Sequence, residues 1–315
     1  MKKINNNYIM QKVNIITYHY VRPIKNSKFP NIKGLEIKKF INQLDNLKKK
    51  YKFISYEDIK NHLKKKTKIP NKSVLLTFDD GYKDHLKYVY PELKKRGIKG
   101  CFFPTMQSSG YKKVLNVNKI HFILAKAKNS RIVLEAIEKI LNNFKRGKKK
   151  FTKIDLIKIK KKFKNTNRFD DRETSFIKYL LQRKLPGELK EHCCNKLFKI
   201  FVTKNEKLFA NNLYLSIDEI KFLKKNGMHI GAHGNYHIRL ADLNYKQQYE
   251  YLKKNIKFLK VISKEVNDWS ICYPHGSYNR NTLKALKKLK CLFGFTIDKG
   301  KALISVKESL KLKRY

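Results

Sequence analysis

Apolar positions along this chain follow two rhythms, and their alternation predicts the architecture. Short runs rich in apolar and β-branched residues read as strands: Val13–Tyr18, Val74-Leu75-Leu76-Thr77-Phe78, Gly100–Phe103, Met228–Ala232, Trp269–Tyr273, Leu292–Ile297 and Leu303–Val306. Between them, apolar residues recur at three- and four-residue steps, the period of an amphipathic helix. Phe40, Leu44, Leu47 and Tyr51 predict a helix over Ile37–Lys50, and Ile59 and Leu63 a shorter one over Tyr56–Lys65. Leu86, Val89, Tyr90 and Leu93 predict a third, stopped by Gly97. Ser216 and Glu219 form a capping box ahead of Ile220 and Leu223, and Gly227 closes that helix. Two more follow, on Tyr249, Leu252, Ile256 and Leu259, and on Leu283, Leu286 and Leu289. Strand, helix, strand at this spacing is the βαβ pattern of a parallel sheet, so the fold class is α/β.

The rhythm changes between Val117 and Asn211. Helical periodicity alone is left (Ile120, Ile123, Leu124, Ala127; then Ile137, Leu141, Phe144), and lysine becomes dense, as in Lys148-Lys149-Lys150 and Lys160-Lys161-Lys162. The expected organisation is therefore a first part of an α/β unit over 1–116, an α-helical insertion over 117–212, and the second part over 213–315.

Composition narrows the setting. In 315 residues there are 74 Lys and Arg against 25 Asp and Glu, a formal net charge of +49. Such a field attracts anionic glycans and the inner face of a membrane. The lysines are spread along the whole chain, whereas nucleic-acid readers cluster charge and interleave it with exposed aromatics, so specific nucleic-acid binding is not expected. The five cysteines include no CxxC pair and fit a reducing compartment. Met1–Gln11 lacks the apolar core of a secretory signal, and no run of about 18 apolar residues occurs, so a cytoplasmic protein is expected, with peripheral contact at the inner face of the membrane left open.

Chemistry sits at strand ends. The Val74 run ends in Asp79-Asp80-Gly81, and the Met228 run delivers His233-Gly234-Asn235-Tyr236-His237. In α/β folds the carboxyl ends of strands carry the sites. Asp-Asp-Gly alone is ordinary turn chemistry, and His-x-x-x-His alone is common by chance. Together, two imidazoles and a carboxylate suit Zn2+, with Co2+, Ni2+ or Fe2+ as alternatives, and three ligands leave positions open. Such an ion lowers the pKa of a bound water towards about 7, and a second carboxylate beside the ligand set can take its proton. That set describes metal-assisted hydrolysis of a carbonyl compound. His19, at the end of the first strand, faces a site or fills a core.

Thr77-Phe78-Asp79-Asp80-Gly81, His233-x-x-x-His237 and Tyr273-Pro274-His275-Gly276 resemble, in that order, the first three motifs of the polysaccharide deacetylases, the NodB-homology group of carbohydrate esterase family four. The resemblance spans roughly 13–107 and 213–300. It implies a distorted (β/α) barrel of the NodB-homology type that removes N-acetyl groups from amino sugars. It also implies Asp79 as general base, Asp80, His233 and His237 as metal ligands, and the backbone N–H of His275 as an oxyanion donor. Tyr273, Pro274 and Gly276 would belong to the substrate-binding loop. There are three departures. Gly234 stands where the family has Ser or Thr. Cys272 stands where it often has an arginine that orients the base, for which Arg22 is a substitute. The family's late Leu-x-His is absent, leaving His19 first and His275 second as proton donors. The implied substrate is an N-acetylated sugar or glycan intermediate. Hydrolysis of another amide C–N bond, a catalytically inactive glycan-binding relative, and a purely basic surface binder are the competing readings.

Overall fold

A computed structural model describes residues 11–146, 149–150, 153–164 and 170–315. Most of Met1–Gln11, together with Lys148 of the first lysine run, lies outside the described residues. The strands are, in chain order, β1 (Gln11–Tyr18), β2 (Lys52–Phe53), β3 (Ser73–Asp80), β4 (Cys101–Pro104), β5 (Lys145–Arg146), β6 (Lys149–Lys150), β7 (His229–Ile230), β8 (Ser270–Cys272), β9 (Phe293–Phe295) and β10 (Ala302–Ile304). The helices over Ile37–Lys50, Tyr56–Leu63, Ile217–Lys225, Tyr245–Ile262 and Arg280–Lys288 stand where the periodicity places them. The helix after Gly81 opens as a π-turn, His85–Val89, before continuing as Tyr90–Lys95. The capping box at Ser216 is made: its hydroxyl accepts from Glu219 N–H and the Glu219 carboxylate accepts from Ser216 N–H.

The chain divides into two compact units. The first comprises residues up to Arg22, Leu35–Lys112 and Asn211–Tyr315 and holds a distorted (β/α) barrel. Parallel pairing runs β1–β3–β4–β7. Ala232 bridges to Ile271, which brings in β8, and β8 pairs with β9. Closure comes from the segment Leu312–Tyr315. Leu312 bridges Phe295 in parallel, while Tyr315 N–H donates to Ile15 O (2.8 Å) and Thr17 N–H to Tyr315 O (2.8 Å). β10 lies antiparallel on the first residues of β1, and β2 flanks the start of β3.

Every residue of β3 is buried, and its two faces have different neighbours because strand side chains alternate. Val74, Leu76 and Phe78 pack among helix residues such as Phe40, Leu44, Leu93 and Leu223. Leu75 packs inside the barrel with Val13, Ile15, Cys101, Phe103, Cys272, Phe295 and Leu312. The inner column of β3 therefore continues through Thr77 to Asp79.

The second unit comprises Pro23–Gly34 and Lys113–Ala210. It is mainly helical, over Asn116–Lys126, Ser130–Asn143, Lys153–Lys161, Arg172–Tyr179 with its continuation Leu180–Lys184, and Gly187–Phe201. Ile120, Ile123, Ile137, Leu141, Phe176 and Leu197 are buried, as the helical period requires. The β5–β6 ladder corrects the reading of this stretch as free of strand-and-turn structure. Phe29, from a segment that no periodicity marks, packs edge-on against Phe122 at 4.8 Å. Among the described residues no helix is long and apolar enough to cross a membrane.

Candidate active site

β3 carries both aspartates to the carboxyl end of the barrel. Asp80 adopts a left-handed backbone (φ 70°), which a short polar side chain tolerates better than a branched one. Gly81 follows at φ 69°, where an added Cβ would stand 2.7 Å from that of Pro104, so the turn that ends the strand requires glycine.

Asp80 Oδ1 lies 3.3 Å from His233 Nε2 and 3.5 Å from His237 Nε2, and the two Nε2 atoms are 3.1 Å apart. One oxygen and two ring nitrogens thus converge on a common point in a buried site. The other polar atoms of His233 and Asp80 fix their orientation. His233 Nδ1 is 2.9 Å from the carbonyl of Cys272, the contact that leaves Nε2 as the lone-pair nitrogen. Tyr82 donates its hydroxyl to Asp80 Oδ2 at 2.5 Å. Asp80 Oδ1 has no hydrogen-bond donor although it is buried. Burial would raise the Asp80 carboxyl, but His233, itself held well above the ordinary imidazole value by Cys272 and its carboxylate neighbours, outweighs it and holds Asp80 well below the ordinary range. Burial holds the His237 imidazole down and neutral, as a ligand must be. An orphaned carboxylate oxygen facing two imidazole nitrogens fits a divalent cation.

Gly234 has φ 76°, and a Cβ there would meet the Tyr251 hydroxyl at 2.7 Å. The departure from Ser or Thr is therefore a packing requirement of this loop. In place of a side-chain hydroxyl, Tyr251 lends its own, accepting from Tyr236 N–H at 2.9 Å.

Asp79 sits in a different environment. Arg314 grips both its oxygens, Nη1 to Oδ1 at 3.0 Å and Nη2 to Oδ2 at 2.8 Å. The same guanidinium donates to Thr77 Oγ1 (3.0 Å), Thr296 O (2.8 Å) and Cys272 Sγ (2.9 Å), and Cys272 donates to Asp79 Oδ2 at 3.1 Å. Burial alone would raise Asp79; the guanidinium overcomes it and holds the carboxyl far below its ordinary value. Asp79, His233 and Cys272 form a second group of possible ligands, but there the cationic charge is already supplied by Arg314.

Arg314 corrects the assignment of Arg22 as the partner of the base. Arg22 Nε donates instead to Asp84 Oδ2 at 2.6 Å. Leu310, Leu312 and Arg314 are buried in alternation with Lys311, Lys313 and Tyr315, a period-two signal present in the sequence but short enough to read as a charged tail. Tyr273 also departs from its expected place on the substrate loop. It is 1% exposed, its hydroxyl donates to Leu310 O at 2.8 Å, and its ring stacks on Tyr278, so it is a packing residue. Pro274 is buried behind Gly234, and Gly276 (φ 62°) turns against Ile297.

His19 is half exposed, with Nε2 4.0 Å from Asp79 Oδ2. His85 Nε2 lies 2.9 Å from the carbonyl of His19, which ties the π-turn to this loop. His275 packs edge-on to His237 at 4.4 Å, and burial lowers its pKa to about 4.

Comparison with known proteins points one way. The sequence profile of the family described as polysaccharide deacetylase matches residues 66–122 and 189–293. A protein of Bacillus subtilis (strain 168) named for the polysaccharide deacetylases, YxkH, is 51% identical over 41 residues, which span 13% of this chain and only 15% of that relative. The structure of a Streptococcus pyogenes deacetylase, PplD, in complex with acetate superposes with a TM-score of 0.57 at 18% identity, covering 97% of this chain and 92% of that one. IcaB from Ammonifex degensii gives 0.54 at 16% identity, covering 96% and 90%. At these identities the superpositions speak for a shared barrel, and the family match stops before Arg314.

Proposed function

This chain belongs to the polysaccharide deacetylase family, and on that premise we propose that it hydrolyses the N-acetyl group of an amino sugar within a glycan or glycan precursor. The observation that carries the reading is the convergence of Asp80 Oδ1, His233 Nε2 and His237 Nε2 beside a second buried carboxylate, Asp79.

Asp80, His233 and His237 would hold a divalent cation, Zn2+ before Co2+, Ni2+ or Fe2+ for this donor set. When bound, the ion polarises a carbonyl and makes water a nucleophile near neutral pH. The protein's own residues do the rest. Asp79 accepts the proton of the attacking water. Arg314 keeps that carboxylate ionised and aimed. His19, half exposed at the mouth and 4.0 Å from Asp79, is placed to pass a proton to the departing amine. His275, held neutral by burial, serves through its backbone N–H as an oxyanion donor. Arg22 is occupied with Asp84 and takes no part in aiming the base.

The test is elemental analysis of the purified protein beside acetate release from N-acetylated oligosaccharides. About one divalent ion per chain is expected, lost in His237→Ala together with acetate release. A wild-type protein that binds no zinc when zinc is supplied would end the hydrolase reading.

A further inference from the structure

His85 is a buried histidine that the proposed chemistry leaves without a role. Its ring is fully enclosed, against Phe78, Tyr82 and Phe102. Nε2 lies 2.9 Å from the carbonyl oxygen of His19. A carbonyl only accepts, so Nε2 carries the proton and donates. Nδ1 then holds a lone pair, and it is buried with no hydrogen-bond partner. An unpaired polar atom is unfavourable in an aromatic pocket, which a phenylalanine ring would fill without it. Burial lowers the pKa of His85 to about 4, so the ring stays neutral and its single N–H persists at neutral pH. What this ring contributes beyond packing is one directed hydrogen bond.

Both ends of that bond are anchored. The π-turn begins at His85, whose N–H donates to Tyr82 O at 3.0 Å and whose carbonyl accepts from Tyr90 N–H. On the other side, β1 pairs with β3 as far as Tyr18 opposite Phe78, one step short of Asp79. Beyond Tyr18 the chain is held by residues around the π-turn. Tyr20 stacks on Tyr82 with ring centroids 4.2 Å apart, and Arg22 Nε donates to Asp84 Oδ2 at 2.6 Å. His85 takes His19, between the ladder and that stack. The ladder fixes the peptide plane before the His19 Cα, and the bond from His85 fixes the plane after it. Those two planes set the direction in which the His19 side chain leaves the backbone, and its Nε2 comes to 4.0 Å from Asp79 Oδ2. The geometry points to His85 as a positioning residue: its N–H holds His19 at the mouth of the site, aimed at Asp79, for delivery of a proton to the departing amine. The inference rests on the deacetylase reading with His19 as the donor.

The experiment pairs two substitutions that separate packing from bonding. His85→Phe keeps a ring in the aromatic pocket and loses the N–H, whereas His85→Gln loses the ring and keeps an N–H at similar reach. Acetate release from N-acetylated oligosaccharides is followed with the zinc-supplied full chain, each substitution alone and combined with His19→Ala. His85→Phe should lower kcat by on the order of tenfold at nearly constant KM, as a misplaced proton donor does, and His85→Gln should retain most of it. With His19→Ala already present, His85→Phe should cost less than about twofold, because two residues acting through one step do not add. In nuclear magnetic resonance spectra of histidine-labelled protein, the His19 ring signal, assigned by its loss in His19→Ala, should move in His85→Phe and hold its place in His85→Gln. A His85→Phe that keeps kcat, or that costs as much with His19→Ala as without it, overturns the positioning role and leaves the deacetylase standing. So does an undiminished kcat in His19→Ala. A wild type that releases no acetate sinks the hydrolase reading, and the His19 signal then decides alone: moved only in His85→Phe, it upholds the grip of His85 on His19, and unmoved, it overturns it.

Discussion

Asp79 and Asp80 are adjacent, buried and both ionised, and each is balanced differently. Asp80 faces two histidines, and Asp79 faces one guanidinium that reaches it across 235 positions of sequence. Removing that guanidinium leaves a buried unpaired carboxylate, which costs about 3–5 kcal/mol and lets desolvation push the Asp79 pKa upward. Arg314→Gln should therefore destabilise the fold by about that amount and move the acid limb of the kcat/KM profile to higher pH. Arg314→Lys keeps the charge but loses the two-pronged grip, and should fall between. The sign for stability follows from the depressed carboxyl. What Asp79 contributes is complete above its ordinary value of 3.8 and is lost as pH falls towards its folded value. Loss of activity in Arg314→Gln with the acid limb in its original place would show that the arginine does not tune the base.

At the scale of elements, most of the site was legible because each functional pair follows an apolar run. β3 ends in the aspartates, and the strand at Met228 ends in the histidines, so local pattern and chemistry agree. The helices were legible for the same reason, Ile37–Lys50 to the residue. What stayed hidden depends on closure. Nothing local in Leu310-Lys311-Leu312-Lys313-Arg314-Tyr315 says which strands will flank it, and Cys272 looks like a lost arginine until a guanidinium arrives from elsewhere in the barrel. Tyr273 looked like a substrate contact because a motif gives type and order but not facing. The closing segment also makes a prediction. Deleting Leu312–Tyr315 removes five backbone hydrogen bonds, to Gly294, Thr296, Asp298, Ile15 and Thr17, along with the Asp79 partner. At about 1 kcal/mol per bond plus the stranded charge, the loss approaches the whole stability of an ordinary domain. The truncated protein should be insoluble or melt at least about 10 °C lower, whereas Tyr315→Ala, which keeps the backbone ladder, should melt within a few degrees of wild type. A truncated protein with an unchanged melting temperature would show that the barrel does not need this closure.

For the whole molecule, charge sets how it meets the two ends of the proposed reaction. The protein carries a formal +49, dispersed along the chain. An N-acetylated sugar is neutral, whereas the deacetylated product is an ammonium ion at neutral pH. A field of this sign leaves substrate capture untouched and opposes rebinding of product. Salt screens that opposition, since the screening length falls from about 30 Å at 0.01 M to about 3 Å at 1 M. Inhibition by the deacetylated oligosaccharide should therefore tighten as salt rises, while kcat/KM on the neutral substrate changes by less than about twofold over the same range. Attachment to vesicles of anionic lipid should move the other way, weakening steeply with salt and surviving Asp79→Asn, because it draws on the same dispersed charge and none of the site. Steady-state inhibition constants measured from low to high salt decide it. A constant that stays flat, or an inhibition that weakens with salt, would mean that the acidic residues of the site outweigh the field of the surface.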